Sequence, residues 1–411
     1  MSRLYDFVIV GGGIAGLYTG YCLRQIVPDA SFLIVESQDR VGGRVKVDKF
    51  GNTDVVVGAG IGRGNDRLLV KLMDQLEIKY KTFSSKFSYA TNLERCDLMD
   101  LFNHLRTEYE KSPEQYVGLD FREFSKLFMG GDLYQKFRTC SGYTDYELRD
   151  VADVLYDYGF EHNFRPWTGL RIPWARLIDS LCHAIGKHRI QMDTDIIAID
   201  RKEHGFVLSA KPKGGPKVSD SITCRRLVIA TQITSLRRLL PHIGLYQHIH
   251  GQPFLRLYGQ LSPRSNQILQ TIIRGLTVVK PPLQKIIPID FDRGIYMISY
   301  CDNHLALEMK KYMEDIPYNR RLLSRLIELS LDLPSGTIDM SSVRGYYWEI
   351  GTHYYEPLEK GDTRRSFIDR AQHPEPDILV VGEVVSQHQG WVQGALESVE
   401  TGLTWEFISQ S

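Results

Sequence analysis

The chain has no stretch of about 18 uncharged apolar residues, and so no segment of the kind that crosses a bilayer as a helix. It has no surplus of either charge: 50 lysines and arginines meet 50 aspartates and glutamates. That balance excludes the basic footprint of a nucleic-acid binder, and the short cluster at Arg364 and Arg365 does not restore it. Cysteine is scattered. Cys22, Cys96, Cys140, Cys182, Cys224 and Cys301 form no CxxC pair and have no histidine at metal-ligand spacing. Reduced thiols and no metal site are expected, as in a cytosolic protein. Single histidines such as His162, His248, His250 and His388 show neither metal nor triad spacing, which favours structural roles. There is no internal repeat and no low-complexity segment. The apolar N-terminal stretch lacks a basic leader and breaks at Gly11-Gly12-Gly13, so it does not read as a signal peptide. The C-terminal TGLTWEFISQS has neither an apolar tail nor an address signal. The expectation is a cytoplasmic protein without membrane or nucleic-acid partners, its oligomeric state open.

What is present starts at residue 6. In DFVIVGGGIAGLYTGYCL the run Phe7-Val8-Ile9-Val10 has the apolar, β-branched character of a buried parallel strand. Gly11, Gly13 and Gly16 then fit G-x-G-x-x-G. The first allows a tight turn and the second lets a pyrophosphate approach backbone N–H groups at Ile14 and Ala15. The third lets the following helix pack closely on the strand. A second apolar run, Phe32-Leu33-Ile34-Val35, ends in Glu36, 20 residues past Gly16, where a carboxylate can accept hydrogen bonds from an adenosine ribose. Glycines, helix, strand and acid together predict a dinucleotide site. They do not separate NAD from FAD.

The next residues do. ESQDRVGGRV, residues 36–45, resembles the extension found in the flavin-containing amine oxidase superfamily, which includes monoamine and polyamine oxidases, L-amino-acid oxidases and protoporphyrinogen oxidases. The resemblance implies FAD, with Glu36 and Ser37 at the ribose and Gly42, Gly43 and Arg44 beside the pyrophosphate. DVVVGAGIGRGNDRLLVKLMDQLEI, residues 54–78, is similar to the second glycine segment of that family, placing Gly58, Ala59, Gly60 and Ile61 along the flavin. RIQMDTDIIAIDR resembles the strand beside the adenine, with Ile197 there. DILVVGEVVSQHQGWVQGALESVETGL, residues 377–403, resembles the closing motif. It implies that Gly382 and Glu383 lie near the ribityl and pyrophosphate. Gly390, Trp391 and Val392 then open a last helix toward the flavin pyrimidine oxygen. His388 is the histidine to watch, because it falls in this motif.

The implied fold is α/β: a Rossmann-like FAD-binding domain interleaved with an α+β substrate domain. Residues 1–82, 170–245 and 375–411 would form the first, and 83–169 with 246–374 the second, as a helical insertion plus an antiparallel sheet. KPKGGPK, residues 211–217, reads as a surface hairpin turn. By resemblance, the chemistry is transfer of a hydride equivalent from the C–H bond beside an amine nitrogen to the flavin, followed by reoxidation by O2 to give H2O2. Trp391 and Tyr354 are candidates for a pair of aromatic faces that align the amine, with Tyr355 a rival to Tyr354. His353 takes the position at which monoamine oxidases carry a flavin-linking cysteine, and no cysteine follows Cys301, so FAD is expected to be held non-covalently. Arg256, in QPFLRLYGQL, takes the position of a family lysine. Arginine stays protonated, so it could bind a substrate carboxylate, stabilise negative charge near the flavin, or pair with an acid, but not act as a base. Lys280 could supply the missing amine, though its VVKPP context reads as a loop. Arg63 is a further carboxylate-binding candidate. The leading expectation is an FAD-dependent oxidase of a small amine or polyamine. An L-amino-acid oxidase is the first alternative, and a non-catalytic FAD-bound interaction protein the second.

Overall fold

The computed structural model describes residues 4–85, 87–159, 165–214 and 220–409. His162 and residues 215–217 of the expected hairpin turn lie outside the described residues.

The strand Leu4–Val10 is the centre of a seven-stranded sheet. It pairs in parallel with Phe32–Val35 on one side and Asp220–Ile229 on the other. Its alternating side chains explain why every one of its last four residues is apolar. Phe7 and Ile9 point into one core and Val8 and Val10 into the opposite one, so both faces are covered, as a parallel strand requires. The first core is closed by the helices Ile14–Ile26, Arg67–Gln75, Trp174–Ile185 and Val392–Gly402. Gly16 is what allows the first of these to lie so close. A Cβ there would sit 2.0 Å from the Gly11 carbonyl oxygen, an impossible contact. The remaining strands, Ile190–Gln191, Thr194–Lys202, Gly205–Pro212 and Ile378–Val380, come from distant parts of the chain. The result is a Rossmann-like α/β layer assembled from three separate stretches.

A second sheet of six strands faces it. Its order is Met340–Tyr355, Ile249–Leu261, Ile295–Asp302, Lys285–Asp290, Thr277–Val278 and Ser88–Tyr89. It is antiparallel except for the last pair. The alternation in Ile249–Leu261 divides its residues by role. Leu255 and Leu257 are fully buried in the core backed by the helices Asn303–Met309 and Pro317–Leu331. Phe254 and Arg256 line a cavity between the two sheets.

The insertion after residue 83 is helical at its centre, with Leu98–Lys111, Phe121–Ser141 and Val151–Tyr156 packed on their own apolar cluster. Its ends are not helical. Lys81–Ser85 and Trp167–Arg171 pair with each other, and the latter also pairs with Gly62–Arg63, which ties the insertion to the second glycine segment. The helical stretch Phe121–Ser141, broken by a kink at Gly130 (φ +69°), starts from a reciprocal cap between Asp120 and Glu123 and stops at Gly142, in the left-handed region at φ +63°. That stop turns the chain sharply and sends Tyr143 and Asp145 into the cavity wall. Among the described residues no helix is long and apolar enough to cross a membrane.

Candidate functional site

The two sheets enclose a cavity of about 1520 Å³, larger than the usual chamber for a single small ligand. Its glycine-rich end is built from backbone. Gly13 caps the helix Ile14–Ile26 without any side-chain hydrogen bond, and a Cβ at Gly13 would meet nothing within 4 Å. The free N–H groups of the first turn therefore open onto the cavity. The Gly42–Gly43 stretch runs alongside: Gly42 donates its N–H to the Gly12 carbonyl at 2.8 Å. The helix Val392–Gly402 brings a second N-terminus, with Trp391 as its cap and again no side-chain acceptor. Two uncapped helix ends facing one cavity fit a dinucleotide with anionic and carbonyl acceptors.

Glu36, at the end of its strand, is 8% exposed and is fixed by two backbone donors, the N–H of Gly12 at 2.7 Å and that of Gln38 at 2.9 Å. The Ser37 hydroxyl also donates to Glu36 Oε1 at 3.3 Å, which leaves Oε2 with room to accept from a ribose. Glu383 is held more firmly. It accepts from Arg44 Nη1 at 2.8 Å, from the His353 N–H at 3.0 Å and from His353 Nδ1 at 2.6 Å. His353 Nε2 meanwhile accepts the Ile233 N–H at 3.2 Å, so the ring proton sits on Nδ1 and the imidazole is neutral. Burial opposes ionisation of Glu383, but Arg44 and His353 outweigh it and hold the carboxyl well below its usual range.

The opposite end is built from side chains. Arg256 Nη1 donates to the Val56 carbonyl at 3.0 Å, and its guanidinium lies 4.7 Å from the Tyr300 ring centre. A Cβ at Gly60 would lie 3.3 Å from Arg256 Nη2, so the arginine rests directly over the second glycine segment. Among the described residues no carboxylate lies within ion-pair distance of Arg256, which leaves the pairing expectation unmet. Tyr143, Asp145, Tyr158, Tyr300 and Trp348 complete this wall. Trp391 lines the cavity with the Arg63 guanidinium stacked 3.6 Å from its ring centre.

Most of the residues singled out from sequence line this one cavity: Gly11, Gly13, Ile14, Ala15, Glu36, Ser37, Gly43, Arg44, Gly58, Ala59, Gly60, Ile61, Arg256, Gly382, Glu383, Gly390, Trp391 and Val392. Three do not. Gly16 acts through helix–strand packing and contributes no wall. Ile197 sits at an irregularity between Ile196 and Ala198 in the edge pairing; the nearby wall is formed by Ser37, Gln38, Thr231 and Ser235 instead. Tyr354 stacks on His250, ring centres 5.2 Å apart, away from the cavity. In the same strand Trp348 does line it, with its indole N–H donated to the Val57 carbonyl at 2.8 Å. His353 is likewise fully buried off the cavity, and the lining residue beside it is Thr352. His388 pairs with Glu397 at 2.6 Å. The residues that sequence missed (Tyr143, Asp145, Tyr158, Tyr300 and Trp348) belong to segments where no motif is present. The aromatic density of the chain was the only signal for the four rings, and Asp145 had none.

Residues 9–76 match the family of NAD(P)-binding Rossmann-like domains. An uncharacterized protein of Acanthamoeba polyphaga mimivirus is 20% identical over 96% of this chain and 92% of its own. The L-2-hydroxyglutarate dehydrogenase of Escherichia coli is 23% identical over 66% and 57%. A probable flavin-containing monoamine oxidase A of Dictyostelium discoideum is 34% identical, but over only 19% and 17%. Among solved structures, a cofactor-binding redesign of putrescine oxidase superposes with a TM-score of 0.73 at 16% identity, covering 100% of both chains. Cyclohexylamine oxidase from Brevibacterium oxydans gives 0.71 at 16% identity over 97% and 98%. Motif and fold therefore agree: the chain opens with a Rossmann-like dinucleotide-binding segment and shares its overall two-domain fold with the solved putrescine and cyclohexylamine oxidases.

Proposed function

We propose that the chain is an FAD-dependent oxidase of a small amine or polyamine. The observation that supports this most is the meeting, in one cavity, of two uncapped helix N-termini with an aromatic wall roofed by Arg256. Gly11, Gly13, Ile14 and Ala15 would hold the pyrophosphate, Glu36 and Ser37 the ribose, and Arg44 with Glu383 the linking region. Gly58 to Ile61 and Gly390 to Val392 would border the flavin ring. FAD would be held non-covalently. The chemistry it supplies when bound is removal of a hydride equivalent from the carbon beside the amine nitrogen, with the electrons passed on to dioxygen as hydrogen peroxide. The protein contributes a dry aromatic chamber that orients the amine, in which Trp391, Trp348 and Tyr300 are the candidate faces. Arg256, charged at any working pH, takes no part as a base.

One observation favours a second reading. The Arg256 guanidinium has no carboxylate partner among the described residues, and an amino-acid substrate would supply one. Peroxide release from the FAD-loaded protein, measured with putrescine, spermidine, cyclohexylamine and L-amino acids, separates the two, with L-2-hydroxyglutarate as a C–OH control. Amines alone should score. In the second reading Arg256→Met raises KM for amino acids at least about tenfold and leaves that for polyamines within about twofold. Flavin bound but no turnover across the panel would favour a non-catalytic interaction protein. A protein that cannot be loaded with FAD would defeat all three readings.

A further inference from the structure

Behind the aromatic wall lies a charged group that the proposed chemistry does not use. Lys285 is fully buried. Its Nζ donates to the Gly142 carbonyl and lies 3.1 Å from the Tyr143 ring centre and 4.6 Å from that of Tyr300. The neighbouring Asp302, also fully buried, holds the same turn from the other side. Its carboxylate accepts the Thr144 N–H at 2.8 Å, the Thr144 hydroxyl at 2.6 Å and Gln284 Nε2 at 3.2 Å. The two rings meet edge to face, 5.9 Å apart. The turn held in this way, residues 142–145, is the one that carries Tyr143 and Asp145 into the cavity.

We propose that Lys285 is a positioning residue for substrate: with Asp302 it clamps the 142–145 turn and thereby fixes Tyr143, Tyr300 and Asp145 in the cavity wall. An ammonium buried on two ring faces, even with a carbonyl acceptor and carboxylates nearby, is costly unless something is gained from its charge. Here the gain is orientation, since Tyr143 and Tyr300 are the two rings it touches and both line the cavity. Tyr300 also stacks under Arg256, so the clamp reaches the roof cation through one shared ring. Lys280, the lysine marked from sequence, has no part in this network.

The clamp is also expected to depend on pH. The titratable and charged groups facing Lys285 are Tyr143 and Asp145 from the turn, Tyr300, Cys301 and Asp302 from the strand Ile295–Asp302, and Arg256 from Ile249–Leu261. Burial lowers the ammonium to about 7 against the opposing pull of Asp302 and Asp145. The cation–ring contacts therefore weaken as the pH rises through neutrality.

The test uses the FAD-loaded full-length protein, Lys285→Met and Lys285→Arg. Amide hydrogen exchange of the segment 142–150 reads the clamp without any substrate. Corrected for intrinsic rates, it should be at least about tenfold faster in Lys285→Met and near wild type in Lys285→Arg. In the wild type, exchange of this segment should accelerate between about pH 6 and 8, and in Lys285→Arg it should not. With an amine that turns over, KM should rise at least about tenfold in Lys285→Met while kcat moves less than about twofold. The wild-type KM should step upward near pH 7, and both variants should lack the step. Unchanged exchange in Lys285→Met, or a pH step that persists in Lys285→Arg, overturns the proposal. If Lys285→Met does not fold, the pH comparison of wild type with Lys285→Arg decides alone. The kinetic arm rests on the cavity's being the substrate chamber. Failure of that reading shows as no turnover with any amine, and the exchange result stands apart from it.

Discussion

Glu383 at the glycine-rich end of the cavity and Asp145 at the roof end are both buried carboxylates, and the fold treats them oppositely. Glu383 accepts three hydrogen bonds and faces the Arg44 cation, so it stays ionised far below its usual range. Among the described residues the Asp145 carboxylate has a single hydrogen bond, from the Tyr158 hydroxyl at 2.6 Å. Burial and the nearby Asp302 raise its proton affinity, and Arg149 only partly offsets them. The difference separates two kinds of construction. At the glycine-rich end polar groups are satisfied within the protein and backbone donors are left over for a ligand. At the roof end the wall is made of side chains, and its buried carboxyl, Asp145, is held against the cavity with a raised proton affinity.

Breaking the first arrangement should have the largest consequence. Glu383→Ala leaves a buried imidazole and the partly exposed Arg44 guanidinium without their acceptor, and leaving a buried donor unsatisfied costs about 1–3 kcal/mol. Urea unfolding at pH 7 should show that loss, and the purified protein should be depleted of FAD. The sign with pH follows from the lowered carboxyl. Its contribution is complete above the unfolded value of 4.5 and disappears as the pH falls below it. The acid limb of the stability curve should therefore be shallower in Glu383→Ala than in wild type. A variant as stable as wild type at pH 7 would mean that the network is incidental.

The same contrast explains what could be read from the sequence. The glycine-rich end was legible because backbone geometry demands particular residues at fixed spacing. Gly16 must lack a Cβ to pass Gly11, and a Cβ at Gly58 would fall 1.7 Å from the Arg44 carbonyl oxygen. Such constraints leave a pattern in the sequence. The roof end depends on side chains brought together from four distant segments, residues 143–158, 254–256, 300 and 348, with no spacing to betray them. The misplacement of Tyr354 has the same origin. A 16-residue strand, Met340–Tyr355, offers several aromatics, and only the tertiary position of its middle, beside Val57, selects Trp348 over Tyr354. Arg256 was singled out by its place in a motif that resembles the family's lysine-bearing strand, but its lack of an acid partner among the described residues appears only in three dimensions.

The second region can be probed by removing its uncompensated charge. Asp145→Asn keeps an acceptor for Tyr158 and deletes the buried anion, so at pH 7 the variant should be more stable than wild type, by on the order of 1 kcal/mol. A carboxyl raised in the folded state disfavours folding above its folded value and ceases to do so as the pH falls below the unfolded value of 3.8. The advantage of Asp145→Asn should therefore shrink on acidification, opposite in direction to the change expected for Glu383→Ala. Thermal melts at pH 7.5, 5.5 and 4 would show it. An Asp145→Asn protein less stable than wild type at pH 7.5 would mean that Arg149 and Lys285 already neutralise the anion, and the contrast between the two ends would fall.

The smallest effect is expected where the sequence pointed and the cavity does not reach. Tyr354 is half-buried against His250, and its hydroxyl makes no hydrogen bond to any of the described residues. Tyr354→Phe should leave FAD loading and amine turnover within about twofold of wild type and shift stability by less than about 0.5 kcal/mol. Trp348→Phe is the partner experiment, since it removes the indole N–H donated to Val57 and shrinks a ring that borders the chamber. It should lower turnover by roughly tenfold, in line with a lost buried hydrogen bond of about 1–1.5 kcal/mol. Equal losses in the two variants would put both rings at the site. A loss confined to Tyr354→Phe would restore the aromatic pair of Tyr354 with Trp391, and the strand would then have to shift register relative to the cavity before substrate binds.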